Sequence, residues 1–469
     1  MLLGLTPDIL VVATALVVLV LESVAPKPWR TRAIVLSAGL GCVLAAVAMI
    51  SLGDGEGSVA GYTLRPWATP LRLTAVLSVL MSLLMIPSQL DHDNRRMRRL
   101  VTPGVAVFML LASLAGTCSL AGANDMVAFI VSLELATIPL FALVALFQDG
   151  ESSEAGLKFL LTGALATGLL VFGMSYCYGA GGAVDFPGLA AGLDGPLAVT
   201  GALLMVLAIL FKLSAAPMHV WAPDVYDGAP NAVASYLASG SKATGLIALL
   251  LLWEGPFVHL HEQLRPLLIT TAIASMVIGN LGALRQTRLR RFMAWSSIAQ
   301  VGFFLLAVGT GLDGVLAISF YAVVYALSNG LAFLVFDCLG ESRPPTMPAL
   351  RGLSKQSPAL ALALTLAVFS LAGIPPLAGF LGKFALLLAP AREGMYLLVL
   401  IGALNGLVGL YYYLRVVREA YMVEPETRPD DLRLDLPQRL GVLLCAVAIL
   451  GFGIWPGVHN WIAGLLGLV

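Results

Sequence analysis

Charge is what this sequence has least of. Of its 469 residues only 12% are charged, about half the share usual in soluble proteins. The 27 basic and 27 acidic residues cancel, leaving neither a basic excess for nucleic acid nor an acidic tail. Cysteine is scarce as well. Cys42, Cys118, Cys177, Cys338 and Cys445 stand alone inside or at the edge of apolar runs, and none forms Cys-x-x-Cys. The sequence therefore offers no iron–sulfur, zinc or disulfide framework, and the five read as small buried apolar side chains. His261-Glu262 has no second His at metal-ligand spacing, and Gly373 to Lys383 lacks the spacing and the Ser/Thr of a phosphate loop. The glycine-rich stretch 53–57 reads as a short exterior turn and not as a dinucleotide fingerprint. No nicotinamide, flavin, haem or metal site is expected in this chain.

What is present in abundance is apolar side chain: 59% of residues, with a mean hydropathy of +0.92. That is more than a water-soluble interior could hide, so the natural solvent is lipid. The first apolar run, Ile9 to Val24, has no basic stretch ahead of it and reads as a membrane span rather than a cleaved signal. Runs of about 20 apolar residues, the length needed to cross a bilayer core, number fourteen. They cover 9–25, 33–53, 70–89, 102–122, 125–148, 156–179, 196–223, 231–253, 266–284, 290–311, 314–336, 357–390, 394–417 and 437–466. They are continuously apolar, which excludes the alternation of barrel strands. Nineteen of the 27 basic residues fall in loops after odd-numbered spans, against four (Arg65, Arg72, Arg265 and Arg392) after even ones. By the positive-inside rule the odd loops are cytoplasmic and both termini exterior.

The remaining four basic residues, Lys158, Lys212, Lys242 and Lys383, lie within apolar spans, in a chain with six Lys and 21 Arg. Arg keeps its proton in any protein, whereas a desolvated Lys can release one. For a single such Lys, snorkelling or a packing ion pair is as good an explanation as any; four together point to titratable bases placed at membrane depth for a purpose.

Spans seven and twelve are too long and carry Pro where a helix would continue, around Pro217 and around Pro375-Pro376, each within eight residues of one of these lysines. Interrupted backbone at membrane depth survives only inside protein or beside water. About 115 residues separate the start of span four from Pro217, and about 109 separate the start of span nine from Pro375. The pattern predicts an all-α polytopic membrane protein of about fourteen helices with two inverted five-helix repeats, interrupted at helices 7 and 12. The expected division is 1–100 for an N-terminal three-helix segment, 101–260 and 261–425 for the repeats, and 426–469 for a C-terminal helix. Glu134 lies about nine residues into span five, near the midplane, where a carboxylate needs a cation. A Lys at about 7 Å would attract it by about 2.4 kcal/mol at an effective dielectric near 20. Glu22 and Asp125 fall near helix ends and read as interfacial.

Four stretches carry a family resemblance: Phe211 to Pro230, Arg285 to Gly302, Gly373 to Phe384, and Tyr411-Tyr412-Tyr413-Leu414-Arg415. They resemble subunit N of NADH:quinone oxidoreductase, respiratory complex I, over about residues 100 to 420. The run Trp221-Ala222-Pro223-Asp224-Val225-Tyr226-Asp227-Gly228-Ala229-Pro230 is specific to that subunit. The M type usually has Glu where Lys383 stands, and the L type is usually longer. By resemblance Glu134 is the helix-five acid, Lys158 the helix-six base, Lys212 the helix-seven base, Lys242 the helix-eight base and Lys383 the helix-twelve base, all serving proton translocation. Two departures are Arg290, where Lys is common, and Gly406, where Ser is common.

The resemblance implies a membrane-arm subunit that translocates protons, driven by electron transfer from NADH to quinone in other subunits. It implies no cofactor in this chain, with NADH, FMN, iron–sulfur clusters and quinone in partner subunits. The implied partners are M-type and K-type neighbours, the peripheral arm indirectly, and membrane lipid, in the cell inner (plasma) membrane. A cation/proton antiporter subunit of the multisubunit sodium type and a purely structural membrane scaffold remain alternatives.

Overall fold

The structure, a computed structural model, describes residues 5–51, 58–59, 62–63, 65–92, 102–146, 150–339, 345–424, 432, 434–455 and 457. The expected turn at 53–57, the basic loop beyond residue 92 and the expected end of the last span at 466 lie outside the described residues.

Apolar runs become helices because in hydrocarbon every backbone N–H must find its carbonyl within the segment. The first half of the chain forms α1 (Thr6–Val24), α2 (Lys27–Ser51), α3 (Ala68–His92), α4 (Pro103–Ala121), α5 (Met126–Val144), α6 (Gly150–Gly181), α7 (Phe186–Gly192), α8 (Gly195–Leu213), α9 (Ala222–Gly228) and α10 (Asn231–Glu254). The second forms α11 (His261–Leu284), α12 (Leu289–Ala307), α13 (Gly311–Cys338), α14 (Leu353–Gln356), α15 (Pro358–Ala372), α16 (Ala378–Arg392), α17 (Tyr396–Tyr421) and α18 (Leu436–Ile454). Strands β1 (Ser58–Val59) and β2 (Tyr62–Thr63) pair as a small antiparallel hairpin between α2 and α3. The hairpin and the short α7 have no counterpart in the sequence reading, which tracked only runs long enough to span.

Among the described residues, twelve helices are long and apolar enough to cross a membrane. The 19-residue α12, with two arginines at its start, and the broken pair α15–α16 bring the crossings to fourteen. Both expected interruptions are present. Helix α8 stops at Ser214, whose backbone turns left-handed (φ 57°) and returns its N–H to the carbonyls of Leu210 and Phe211; the chain resumes as α9. Helix α15 stops in the same way at Gly373 (φ 87°), whose N–H returns to Phe369 and Ser370, and resumes as α16. Both ends satisfy carbonyls that a stopped helix would otherwise orphan.

The two halves also pack alike. Helix α4 lies on α5 as α11 lies on α12, and α6 lies on α8 as α13 lies on α15 and α16. In both helix pairs a glycine brings the backbones together: a Cβ on Gly116 would sit 2.2 Å from the Ala136 nitrogen, and one on Gly279 would sit 2.4 Å from the Ala299 nitrogen. Such small-residue seams are how helices associate where apolar burial gives no drive. At the centre stand α10 and α13, with 94% of the residues in their apolar stretches buried, whereas α1 and α18 are only 22% buried and line the outside. The five cysteines are free and buried, as the composition implied.

Candidate functional site

The site begins where α5, α6 and α8 converge. Helix α5 is started by Asp125, whose carboxylate accepts the Ala128 N–H at 2.7 Å. Two turns on, Glu134 meets Lys212 from the last turn of α8, with Nζ 3.2 Å from Oε1. Lys212 also donates to Thr137 Oγ1 at 3.2 Å, and Thr167 of α6 donates to Glu134 Oε1 at 2.9 Å. The ammonium side chain is 5% exposed. At 3.2 Å and an effective dielectric of about 20 the attraction is about 5 kcal/mol, twice that expected for a 7 Å pair.

Lys242 projects from the central α10 and donates to the hydroxyl of Ser214, the residue that ends α8. Its Nζ lies 5.6 Å from the Trp221 ring centre and 5.9 Å from that of Tyr226, so the charge faces two aromatic rings. Lys383, on α16, reaches back across the second break to the Ala372 carbonyl at 3.3 Å, with Phe303 4.7 Å away. That carbonyl ends α15, where the helix dipole is negative. Among the described residues no carboxylate pairs with Lys242 or Lys383. A hydroxyl can accept from an ammonium or donate to a neutral amine, so the Ser214 contact suits either protonation state.

A residue the sequence reading passed over braces the second break. Gln300 of α12 donates to the Leu371 carbonyl at 2.9 Å and to Tyr413 Oη at 3.2 Å, and accepts from Tyr321 at 2.8 Å. Its signal in the sequence is a single amide in the membrane-spanning part of α12, within the stretch Arg285 to Gly302.

Lys158 departs from expectation. The other three lysines are buried, but its side chain is 44% exposed, held by Glu154 at 2.7 Å and Asp224 at 2.9 Å. It lies nine residues, about 13 Å, from Thr167 toward the start of α6. Hydropathy registers the run in which a lysine falls, not the face it points from. Arg290 donates to the Ala229 carbonyl, and Glu22 accepts from Arg30 at 3.4 Å and from the Gly104 N–H at 2.9 Å, in keeping with an interfacial place.

A bundle crossed fourteen times, with two broken helices each holding a buried ammonium, is the architecture of antiporter-like ion-translocating membrane proteins. Residues 123–409 match the family described as NADH:quinone oxidoreductase/Mrp antiporter, TM. The NADH-quinone oxidoreductase subunit N of Phocaeicola vulgatus is 34% identical over 429 residues, covering 90% of either chain. A chain of respiratory complex I from Thermus thermophilus with bound aureothin superposes with a TM-score of 0.83 at 30% identity, over 97% of this chain and 98% of that one. A chain of the Mrp complex from Dietzia sp. DQ12-45-1b has a TM-score of 0.87 at 20% identity, over 99% and 97%, which shows a common fold. The chain belongs to the subunit N family of NADH-quinone oxidoreductase.

Proposed function

We propose that this chain carries protons across the membrane as a membrane-arm subunit, driven by electron transfer from NADH to quinone elsewhere in the complex. The observation that carries the reading is the Glu134–Lys212 contact, 3.2 Å at the mouth of the first break, with Lys242 bound to the residue that makes the break. Glu134 sets the charge on Lys212, Lys242 holds the central proton, and Lys383 passes it toward the exterior half of the bundle. Moving one charge against 100 mV costs about 2.3 kcal/mol, so opening a contact worth about 5 kcal/mol before desolvation is of the right order for one gating step.

On this reading the flavin, iron–sulfur clusters and quinone belong to partner subunits, and M-type and K-type chains flank this one in the plasma membrane. The odd-numbered loops face the cytoplasm and the termini the exterior. The repeats divide near residues 100, 260 and 425.

The test is Lys212→Ala and Lys242→Ala in the whole complex. Pumping should be lost with assembly intact, and Lys→Arg at either position should restore charge without restoring turnover, because Arg cannot release its proton. Full pumping by the Arg variants would sink the proton-carrier role. The fold shared with the Mrp complex supports a second reading, cation/proton antiport. Copurification of flavin and iron–sulfur subunits in mild detergent decides for the first.

A further inference from the structure

We infer that Lys158 is a positioning residue: with Asp224, Asp227, Arg288 and Arg291 it clamps the half-helix α9, and through α9 it sets the aromatic faces that hold the Lys242 ammonium. The inference rests on the reading of Lys242 as a proton carrier and assigns the control of its surroundings.

Helix α9 is seven residues long, too short to hold its own orientation. Its two carboxylates, three residues apart, lie on one side of the turn. Asp224 accepts from Lys158 of α6 at 2.9 Å and from Arg291 of α12 at 3.0 Å. Asp227, nearly buried, accepts from Arg288 at 2.6 Å, and Arg288 in turn reaches Glu151 of α6 at 3.3 Å. Arg290 donates to the Ala229 carbonyl, where α9 ends. The start of α12 thus grips α9 along its length, and α6 grips it from the other side.

The same half-helix carries the rings that face Lys242. Tyr226 stands between the two clamped aspartates, and Trp221 immediately precedes α9. Trp221 stacks on Phe159, the residue next to Lys158, with ring centres 4.4 Å apart and planes 17° from parallel. Its indole N–H is fixed on the Phe211 carbonyl at 3.2 Å. Lys158 and Phe159 therefore hold α9 by charge and by ring contact at once. A small displacement of α9 moves both faces presented to Lys242.

Nothing in the clamp requires Lys158 to give up a proton, which separates this role from that of a carrier: any cation of similar reach serves. The experiment is NADH-driven pumping by the whole complex in membrane vesicles, with assembly followed on native gels. Lys158→Arg should pump like the parent. Lys158→Met and Asp224→Asn should each lose about two- to fivefold, the scale of one exposed ion pair. The double variant should lose no more than Asp224→Asn alone, since that change already removes the Lys158 contact together with the Arg291 one. Asp224→Asn, nearly isosteric, keeps the test alive should Lys158→Met fail to assemble. The clamp is overturned if Lys158→Arg pumps as poorly as Lys158→Met at equal assembly, or if losing the contact changes nothing. Normal pumping by Lys242→Ala would instead overturn the underlying reading, whatever residue 158 does.

Discussion

Ser214 ends α8 in a left-handed conformation and, from that position, receives the hydrogen bond of Lys242. Among the described residues it is the one non-glycine with positive φ, where the matching break uses Gly373. A side chain there costs about 1–2 kcal/mol. Glycine would remove that cost along with the hydroxyl, so the strain is retained together with the contact to the base.

Ser214→Ala should therefore fold but pump several-fold more slowly. Ser214→Asn, which tolerates left-handed backbone and still offers an acceptor, should recover part of the rate. Ser214→Thr keeps the hydroxyl but adds a β-branch where backbone is already strained, so it should lower thermal stability as well. Vesicle acidification and melting of the solubilised complex read the two effects apart. Equal pumping by the Ala variant and the parent would remove Ser214 from the path.

Glu134→Gln leaves Lys212 a neutral partner at the same distance, and Glu134→Asp leaves a charged one withdrawn by a methylene. A charge switch predicts that Gln is the worse of the two, since water can bridge the gap left by Asp. A packing role predicts the reverse. Pumping that is better in Gln than in Asp at equal assembly would end the assignment of Glu134 to the path.

Gln300→Leu should strip partners from the Leu371 carbonyl and the Tyr321 hydroxyl, while Tyr413 keeps its hydrogen bond with Ser296. With about 1–3 kcal/mol for each buried polar group left unpaired, the solubilised complex should melt several degrees lower. An unchanged melting temperature would show that other groups satisfy these atoms.

Gly279→Ala puts a methyl against the Ala299 backbone nitrogen, an atom that cannot swing aside. Helices α11 and α12 must then part, at a cost of about 1–3 kcal/mol, visible as reduced assembly on native gels. The same change at Gly39, which meets nothing within 4 Å, should be silent.

Single cysteines placed at 93–99 should react with impermeant thiol reagent only from the cytoplasmic side, given the 19-to-4 division of basic residues. Reaction from the exterior would invert the topology. The five native cysteines are buried and add little background.

The crossings and both breaks were legible because lipid makes hydropathy a direct record of the backbone, and because Pro217 and Pro375 interrupt runs that nothing else interrupts. Glu134, Lys212, Lys242 and Lys383 were legible for the same reason: intramembrane charge is too costly to be incidental. What hid was direction. Lys158 and Lys212 look alike in the sequence, each a lysine in an apolar run, and only the helix face makes one half-exposed and the other buried. Asp224 and Asp227 carry no role in the sequence, because their partners Lys158, Arg288 and Arg291 are distant in the chain and no spacing rule connects them. Ser214 lies within the stretch Phe211 to Pro230 without a role of its own there, since neither its left-handed φ nor its contact with Lys242 can be read from residue type.

The distance along the chain between Glu134 and Lys212 bears on how the protein is made. The carboxylate precedes its counter-ion by 78 residues. At a ribosomal pace of about 5–20 residues per second, Glu134 waits between about 4 and 16 s for Lys212 to be synthesised. Thr137 and Thr167 arrive sooner, but neither carries charge. Until Lys212 is made, α5 carries its carboxylate without the cation that pairs with it in the folded subunit, and a carboxylate in hydrocarbon needs such a partner. The ion pair at the first break is therefore completed only when α8 has been made, so the site cannot exist before the chain has passed Lys212.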